Sequence, residues 1–207
     1  MTALIEVHYL PSLEYFCSLM SFAHVKLEAH EHFIKQTYRN RCYIRGANNI
    51  QMLNIPVEKG RSKTPIRDLK TDNRQSWRKH HWRSLKSAYG NAPFFEFFEP
   101  HLQQHFKKEV VFLVDFTYPL LTLCLDWLGI STTLSWTDMY ENQPDRDVLD
   151  LRSVINAKSD YSERSFYTPV PYPQVFGKNF APNLSIVDLL SCEGPNAVSI
   201  LKRSAVV

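Results

Sequence analysis

The chain has 207 residues and a net charge of +3, with 44% hydrophobic residues, 22% charged residues and only six glycines. These values exclude a disordered or low-complexity protein and predict a single folded domain over residues 1–207 with a full hydrophobic core. The charge is uneven, because residues 59–86 carry ten Lys or Arg against two Asp, which is +8 locally and leaves −5 for the rest. A basic surface of this kind attracts phosphate, nucleotide, nucleic acid or acidic sugar.

The four cysteines and the apolar runs indicate the compartment. No two cysteines form a Cys-x-x-Cys pair, and a chain with a full core does not need disulfides, so we predict reduced thiols and a cytoplasmic location. The first residues lack the basic and apolar regions of a signal peptide. The longest apolar run, FTYPLLTLCLDWLGI, is too short to span a membrane and contains Asp126, so we expect no membrane insertion.

Strands and helices alternate in the N-terminal part of the chain. LIEVHYL predicts a first strand, and PSLEYFCSLMSFA predicts a helix with Ser12 beside its first residue as a cap. VKLEAHEHF alternates apolar and polar residues, which predicts a half-buried strand with Glu28, His30 and His32 on its polar face. Two further runs on either side of the Gly46–Asn49 turn predict a hairpin, and the basic EKGRSKTPIRD segment predicts a mobile loop.

Helical patterns dominate the rest of the chain. Capping-box spacing at Asp72 and Gln75 and a stop at Gly90 predict a helix of about seventeen residues, with His81 facing inward and His80 outward. FFEFFEPHLQQHF and FTYPLLTLCLDWLG predict two more helices, and STTLSWTD predicts a strand. Residues 141–173 are predicted to be irregular, with a weak helical signal at 148–155, and NLSIVDLLSCEGPNAVSILKR predicts a C-terminal helix broken at Gly194.

This order of elements predicts an α/β fold in a single layered domain. Helices pack on a small mixed sheet centred on the first strand, and an irregular C-terminal region ends in a helix.

The polar strand face is the first candidate site. Glu28, His30 and His32 project in the same direction, and two imidazoles with a carboxylate suit zinc or iron. Lys26 and Lys35 lie nearby and disfavour a divalent cation. We therefore expect His30 and His32 to act without a metal, as hydrogen-bonding or catalytic groups.

The run KQTYRNR that follows this strand is the second candidate. Guanidinium forks and amide donors suit the recognition of phosphate or carboxylate, so we predict substrate binding by Lys35, Gln36, Arg39, Asn40 and Arg41. A charged edge strand, protected from pairing by its cations, is the alternative. The first interpretation predicts that Arg39→Ala abolishes ligand binding with little loss of fold.

Two other histidines are candidates for a general acid or base. His8 shares a strand face with Glu6 opposite a predicted helix N-terminus, a place that favours anions. His81 lies on an apolar helix face, where a core histidine is the alternative to a catalyst. The chain has no P-loop, Gly-x-Ser-x-Gly elbow or Gly-x-Gly-x-x-Gly motif, which argues against P-loop kinases, serine hydrolases and standard Rossmann dehydrogenases.

Four motifs in order along most of the chain resemble the WbqC-like protein family: HYLPSLEYF, KQTYRNR, WRKHHWRSLKSAYGNAPFFEFF and FAPNLSIVDLLSCEGP. The chain departs from the family's Gln-Pro-x-Tyr-Leu-Pro pattern by having Val7-His8, and its segment around 155–170 is shorter. The resemblance implies bacterial surface-polysaccharide and lipopolysaccharide biosynthesis, with transfer of an acyl or aminoacyl group to a sugar nucleotide. The positions that match the motifs are Tyr9, Leu10, Pro11, Lys35, Arg39, Asn40, Arg41, Trp77, His81, Tyr89, Pro93, Asn183, Ser185 and Asp188.

These patterns predict a cytoplasmic protein that uses no cofactor or metal, and the resemblance implies that it is a transferase. Its substrate would be an anionic small molecule or nucleotide-sugar, held by Arg39 and Arg41, and its general base would be one of His8, His30, His32 and His81. Nucleic-acid binding through residues 59–86 is a second hypothesis, disfavoured because Trp77 and Tyr89 face the core side of their helix. A non-catalytic scaffold, recognisable by a filled pocket, is the third, and the oligomeric state stays open.

Overall fold

Four strands form a parallel sheet in the order β5-β2-β1-β6, and a separate antiparallel hairpin pairs β3 with β4. A computed structural model describes residues 1–58 and 63–206 of the chain. The strands are β1 (Thr2–Glu6), β2 (His24–Glu28), β3 (Arg41–Arg45), β4 (Ile50–Asn54), β5 (Thr133–Trp136) and β6 (Val148–Asp150). The helices are α1 (Leu13–Leu19), α2 (Trp77–Tyr89), α3 (Phe95–Lys107), α4 (Leu113–Leu128), α5 (Ile186–Glu193) and α6 (Ala197–Ser204).

The predicted α/β class and the central position of the first strand are confirmed. β1 lies between β2 and β6, and Ala3, Leu4 and Ile5 are fully buried, as expected for a parallel sheet covered on both faces. β2 is likewise more deeply buried than its alternating pattern predicted, because Glu28 on its polar face has no exposed surface. The predicted mixed sheet is realised as two sheets, one wholly parallel and one a hairpin.

Strand register brings the carboxyl ends of the parallel strands to one edge. Glu6 at the end of β1 pairs with Glu28 at the end of β2, and Asp150 at the end of β6 pairs with Leu4. Polar residues that end these strands, or follow them by a few positions, are therefore close in space although far apart in sequence.

The predicted helices are present, but several boundaries differ: α1 ends at Leu19 rather than near residue 23, and α4 begins at Leu113 rather than near residue 116. α2 begins at Trp77 rather than near residue 73, because Asp72 accepts hydrogen bonds from Arg74 and Gln75 without extending the helix. α4 ends at Gly129, whose φ of +62° is the left-handed conformation that glycine adopts without strain. The C-terminal helix is broken at Gly194 into α5 and α6, as predicted.

The weak helical signal at 148–155 is wrong. Residues Val148–Asp150 form strand β6, which pairs with β1, and turns follow it. A three-residue strand is too short to show a period of its own, so its pairing partner decides its conformation. Of the predicted loop EKGRSKTPIRD, residues 59–62 lie outside the described residues, and Ile66–Asp68 form a short 3₁₀ helix.

Cys17, Cys42, Cys124 and Cys192 are all buried and unbridged. Across residues 1–58 and 63–206, no helix is both long enough and apolar enough to cross a membrane.

Candidate functional site

The carboxyl edge of the parallel sheet borders a hollow of about 520 Å³. Its lining comes from three segments: His30, Glu31, His32 and Ile34 after β2, Tyr140 and Asn142 between β5 and β6, and Asp150, Arg152 and Ser153 at the end of β6. β2 and β6 are the two neighbours of β1, on opposite sides of it. Ligand sites of open parallel sheets form at this edge, where the strand order reverses, so the hollow is the candidate site.

The segment after β2 holds the His30 imidazole in one orientation. The Glu28 carboxylate accepts hydrogen bonds from the His30 backbone N–H at 2.8 Å and from the Thr137 hydroxyl at 3.1 Å. Nε2 of His30 lies 3.0 Å from the Thr137 carbonyl oxygen and 3.4 Å from Arg67 Nη1. A carbonyl oxygen only accepts and a guanidinium only donates, so Nε2 cannot hydrogen-bond both of them. The shorter contact, to Thr137, assigns the proton to Nε2, and the 3.4 Å contact with Arg67 is then not a hydrogen bond. Nδ1 is then the basic nitrogen, and none of the described residues forms a hydrogen bond with it.

The segment at the end of β6 contributes an ion-pair cluster to the wall. Arg152 donates from Nε and Nη2 to Asp150 at 2.9 and 2.7 Å, and from Nη1 to Glu28 at 2.9 Å. These hydrogen bonds hold the pKa of the Asp150 carboxyl below its ordinary value. The guanidinium carbon of Arg152 also lies 4.8 Å from the centre of the Tyr140 ring. The cluster therefore connects β2, β6 and the segment between β5 and β6.

A second guanidinium, that of Arg39, lies beneath the hollow. Arg39 has no exposed surface, and it donates from Nε and Nη2 to the two carboxylate oxygens of Glu31 at 2.6 and 2.7 Å. Nη2 also donates to the Ser153 hydroxyl at 2.9 Å, and Nη1 lies 3.2 Å from Glu6 Oε1. Burial raises the pKa of the Glu31 carboxyl, and the charge of Arg39 opposes that rise. Arg39 thus joins the ends of β1, β2 and β6.

Ser153 adopts a strained backbone conformation in the wall of the hollow. Its φ is +59°, which costs a residue other than glycine about 1–3 kcal/mol and persists only where contacts fix it. The Ser153 backbone N–H donates to Glu6 Oε2 at 2.9 Å, and its hydroxyl accepts from Arg39. The accepted bond uses a lone pair, so the hydroxyl proton is available to a ligand.

Comparison with known families agrees with these motifs. The sequence model of the WbqC-like protein family matches residues 7–165 and 163–200, which is most of the chain. The chain belongs to the WbqC-like protein family. The resemblance found in the four motifs is therefore confirmed. Comparisons with curated proteins and with solved structures found no match.

In this WbqC-like chain, the four predicted catalytic histidines occupy different environments. His30 and His32 line the hollow, whereas His8 and His81 do not. His8 is fully buried with Nε2 at 3.3 Å from Glu6 Oε1, and burial lowers its pKa. His81 lies with Nδ1 at 2.9 Å from the Tyr9 hydroxyl, and burial lowers its pKa to about 4. Only the first pair therefore faces space that a substrate could enter.

The residues of KQTYRNR lie outside the lining of the hollow. Arg39 lies under it, contrary to the expectation that its guanidinium would hold a substrate anion from the wall. Asn40 is buried and donates to the Ile55 carbonyl at 2.8 Å, and Arg41 is half-buried in β3. Lys35 and Gln36 are exposed. The role of Lys35, Gln36, Asn40 and Arg41 in substrate binding stays a prediction.

The remaining motif residues of the WbqC-like chain make contacts that hold the fold together. Tyr89 accepts a hydrogen bond from the Arg45 backbone, and Ser185 caps α5. Asn183 bonds both the backbone and the carboxylate of Glu14. Three further predicted positions are also buried: Pro11, Trp77 and Asp188, the last of which accepts hydrogen bonds from Tyr172 and Gln174. The motif residues that carry the resemblance thus lie mostly in packing contacts and not in the lining of the hollow.

Seven lining residues were missed in the sequence: Glu31, Ile34, Tyr140, Asn142, Asp150, Arg152 and Ser153. A signal for three of them exists in VLDLRS, where Asp150, Arg152 and Ser153 end or follow a strand. That signal depends on recognising β6 as a strand. The helical interpretation of the same residues concealed it.

The structure bears on two alternative functions, nucleic-acid binding through residues 59–86 and a non-catalytic scaffold. Trp77 and Tyr89 are buried in the core and cannot stack on bases, while the cations Lys79 and Arg83 of α2 are exposed. The hollow is open, whereas a scaffold with a filled pocket would leave no such space. Among the described residues, no group of three or more His, Cys, Asp or Glu side chains is arranged to hold a metal ion.

Proposed function

We propose that this WbqC-like protein is a cytoplasmic biosynthetic transferase that moves an acyl or aminoacyl group to an amine or hydroxyl of a sugar nucleotide or related small molecule. The step would belong to surface-polysaccharide or lipopolysaccharide biosynthesis, which is what the family resemblance implies. One observation carries the chemistry: the His30 imidazole lies in the hollow with Nε2–H bonded to a carbonyl and Nδ1 unpartnered among the described residues.

This arrangement suits a general base. When Nδ1 takes a proton from the acceptor amine or hydroxyl, the Thr137 carbonyl stabilises the imidazolium through Nε2–H and keeps the ring in place. The freed lone pair attacks the carbonyl carbon of the activated donor, a C–N or C–O bond forms, and the bond to the leaving group breaks. The proton then passes from Nδ1 to the leaving group. The hydroxyl of Ser153 and the amide of Asn142 line the same hollow and can donate to the oxyanion.

We expect His30→Gln to lower the transfer rate by about a hundredfold, because a glutamine cannot accept the proton. The lower end of the usual range applies because His32 lines the same hollow and can take over part of the role. The assay would combine acyl thioester donors with a panel of nucleotide-sugars, and mass spectrometry would detect the acylated product.

His80→Gln is the matched control, because this exposed imidazole on α2 does not line the hollow. It should retain full activity. Equal rates in the two variants would contradict the role of His30. Absence of any acylated product with the unaltered protein over the whole panel would contradict the proposed function.

A further inference from the structure

The guanidinium groups at the hollow are already occupied by the protein itself. Arg152 bonds Asp150, Glu28 and the Glu141 carbonyl. Arg39, beneath the hollow, donates hydrogen bonds to both carboxylate oxygens of Glu31 and lies against Glu6. A fork that is bound to a carboxylate does not present its paired N–H groups to a second anion. The hollow therefore lacks the free fixed cation that recognition of a phosphate or carboxylate needs among its described lining residues.

Acceptors exceed donors at the hollow. Four carboxylates, those of Glu6, Glu28, Glu31 and Asp150, form or lie behind its wall against the two guanidiniums. With neutral imidazoles, this set carries a net charge of −2. Each carboxylate has about four lone-pair sites, so the bonds already made leave accepting capacity at Glu31 and Asp150. Nδ1 of His30 is a further acceptor.

Two cations near this set each lie close to an acidic residue. Lys26 lies 3.8 Å from Glu141, and Arg67 lies 3.6 Å from Asp68. The Asp150 side chain is 39% exposed, so a ligand can reach it. Tyr140, which is 48% exposed, adds an aromatic surface on the same side as Arg152.

We propose that the hollow binds a polyhydroxylated primary amine, with its ammonium group and hydroxyls donating to Asp150 and Glu31. An ammonium group offers three donors and a positive charge, which match the free acceptors and the negative charge of the wall. His30 lines the same hollow as these carboxylates, so its Nδ1 is the group that would take the ammonium proton and release the nucleophilic lone pair. The inference rests on the proposed function only for naming this amine as the acceptor, since binding alone tests it.

The test is calorimetric binding of three probes to the full chain at slightly acidic pH: glucosamine, glucose and glucuronate. They share a ring and differ in charge. We expect glucosamine to bind about tenfold more tightly than glucose, because one charge-assisted hydrogen bond is added, and glucuronate to bind most weakly. Added salt should weaken glucosamine binding and leave glucose binding unchanged.

Two variants make the assignment specific. Asp150→Asn should remove most of the preference for glucosamine over glucose, whereas Asp145→Asn, an exposed aspartate outside the lining, should not change it. Asn142→Asp adds a carboxylate to the lining and should increase the preference, which keeps the test informative if Asp150→Asn folds poorly.

Tighter binding of glucuronate than of glucosamine, an unchanged preference in Asp150→Asn, or no binding of glucosamine would each overturn the inference. If glucosamine binds as expected while no acyl transfer is found, the proposed function fails and the ligand class stands. If transfer occurs to a hydroxyl acceptor and glucosamine does not bind more tightly than glucose, the proposed function stands and the ligand class fails.

Discussion

Replacement of Arg39 by methionine is expected to lower the free energy of unfolding by about 3–5 kcal/mol, measured by urea denaturation. The fully buried guanidinium is bonded to Glu31 and Ser153 and lies against Glu6. Methionine fills similar space but leaves two carboxylates uncompensated in the interior. The sequence predicted that replacing Arg39 would abolish ligand binding with little loss of fold. The buried contacts of Arg39 predict instead a large loss of stability.

Three companion variants separate the charge from the volume. Arg83→Met, at an exposed position of α2, should cost less than about 0.5 kcal/mol. Arg39→Lys keeps a charge but loses the fork, so it should fall between Arg39→Met and the unaltered protein. Glu31→Gln combined with Arg39→Met should recover part of the loss, because one unpaired carboxylate is removed. Unaltered stability in Arg39→Met would show that the buried ion pairs do not hold the strand ends together.

Acidification is expected to destabilise the protein partly through His81. Burial lowers the pKa of His81 from 6.5 to about 4, so the unfolded chain binds a proton at a pH where the folded chain does not. The two states have equal His81 protonation well above pH 6.5, and the loss of stability grows as the pH falls and is complete near the folded pKa. The full loss is about 3 kcal/mol.

The measurement is the difference in unfolding free energy between neutral pH and a pH of about 4, in His81→Gln and in His80→Gln. His81→Gln should show a difference smaller by about 3 kcal/mol than the unaltered protein, since glutamine does not titrate. His80→Gln, at the exposed neighbouring position, should behave like the unaltered protein. Burial also lowers the pKa of His8 and of His105, so some acid sensitivity remains in both variants. Equal differences in the two variants would refute the role of His81.

Local patterns in the sequence were sufficient to predict most of the fold. The alternation around Leu27 predicted β2, the turn at Gly46 predicted the hairpin, and the apolar face of Leu85 predicted α2. Each of these signals lies within one segment, where hydrophobic period and turn chemistry act directly. β6 had no such signal, because only its pairing with β1 makes it a strand.

The site was harder to predict, because it depends on pairs of residues from distant segments. His30 and His32 were found because the alternating pattern placed both on one face of the predicted strand, although β2 ends at Glu28 and both histidines follow it. Arg39 was placed in the wall because a polar run is usually exposed, and only the convergence of Glu6, Glu31 and Ser153 explains its burial. No pattern within KQTYRNR contains that information.

The role of the motif residues has a related physical cause. Tyr9 and His81 contact each other across 72 positions of sequence, and Asn183 contacts Glu14 across 169. These contacts join segments that are far apart in the chain, and none of the four residues lines the hollow. Residues that hold a fold together can therefore mark a family as clearly as residues that touch a ligand.

The most direct measurement of the central claim is a ¹H–¹⁵N NMR titration of the assigned protein with glucosamine. If the carboxyl edge of the parallel sheet is the functional site, the saturable shifts should concentrate in residues 30–34 and 150–153, with smaller changes at Tyr140 and Asn142. Shifts centred on the outer face of α2 or on residues 35–41, with residues 150–153 unaffected, would contradict it.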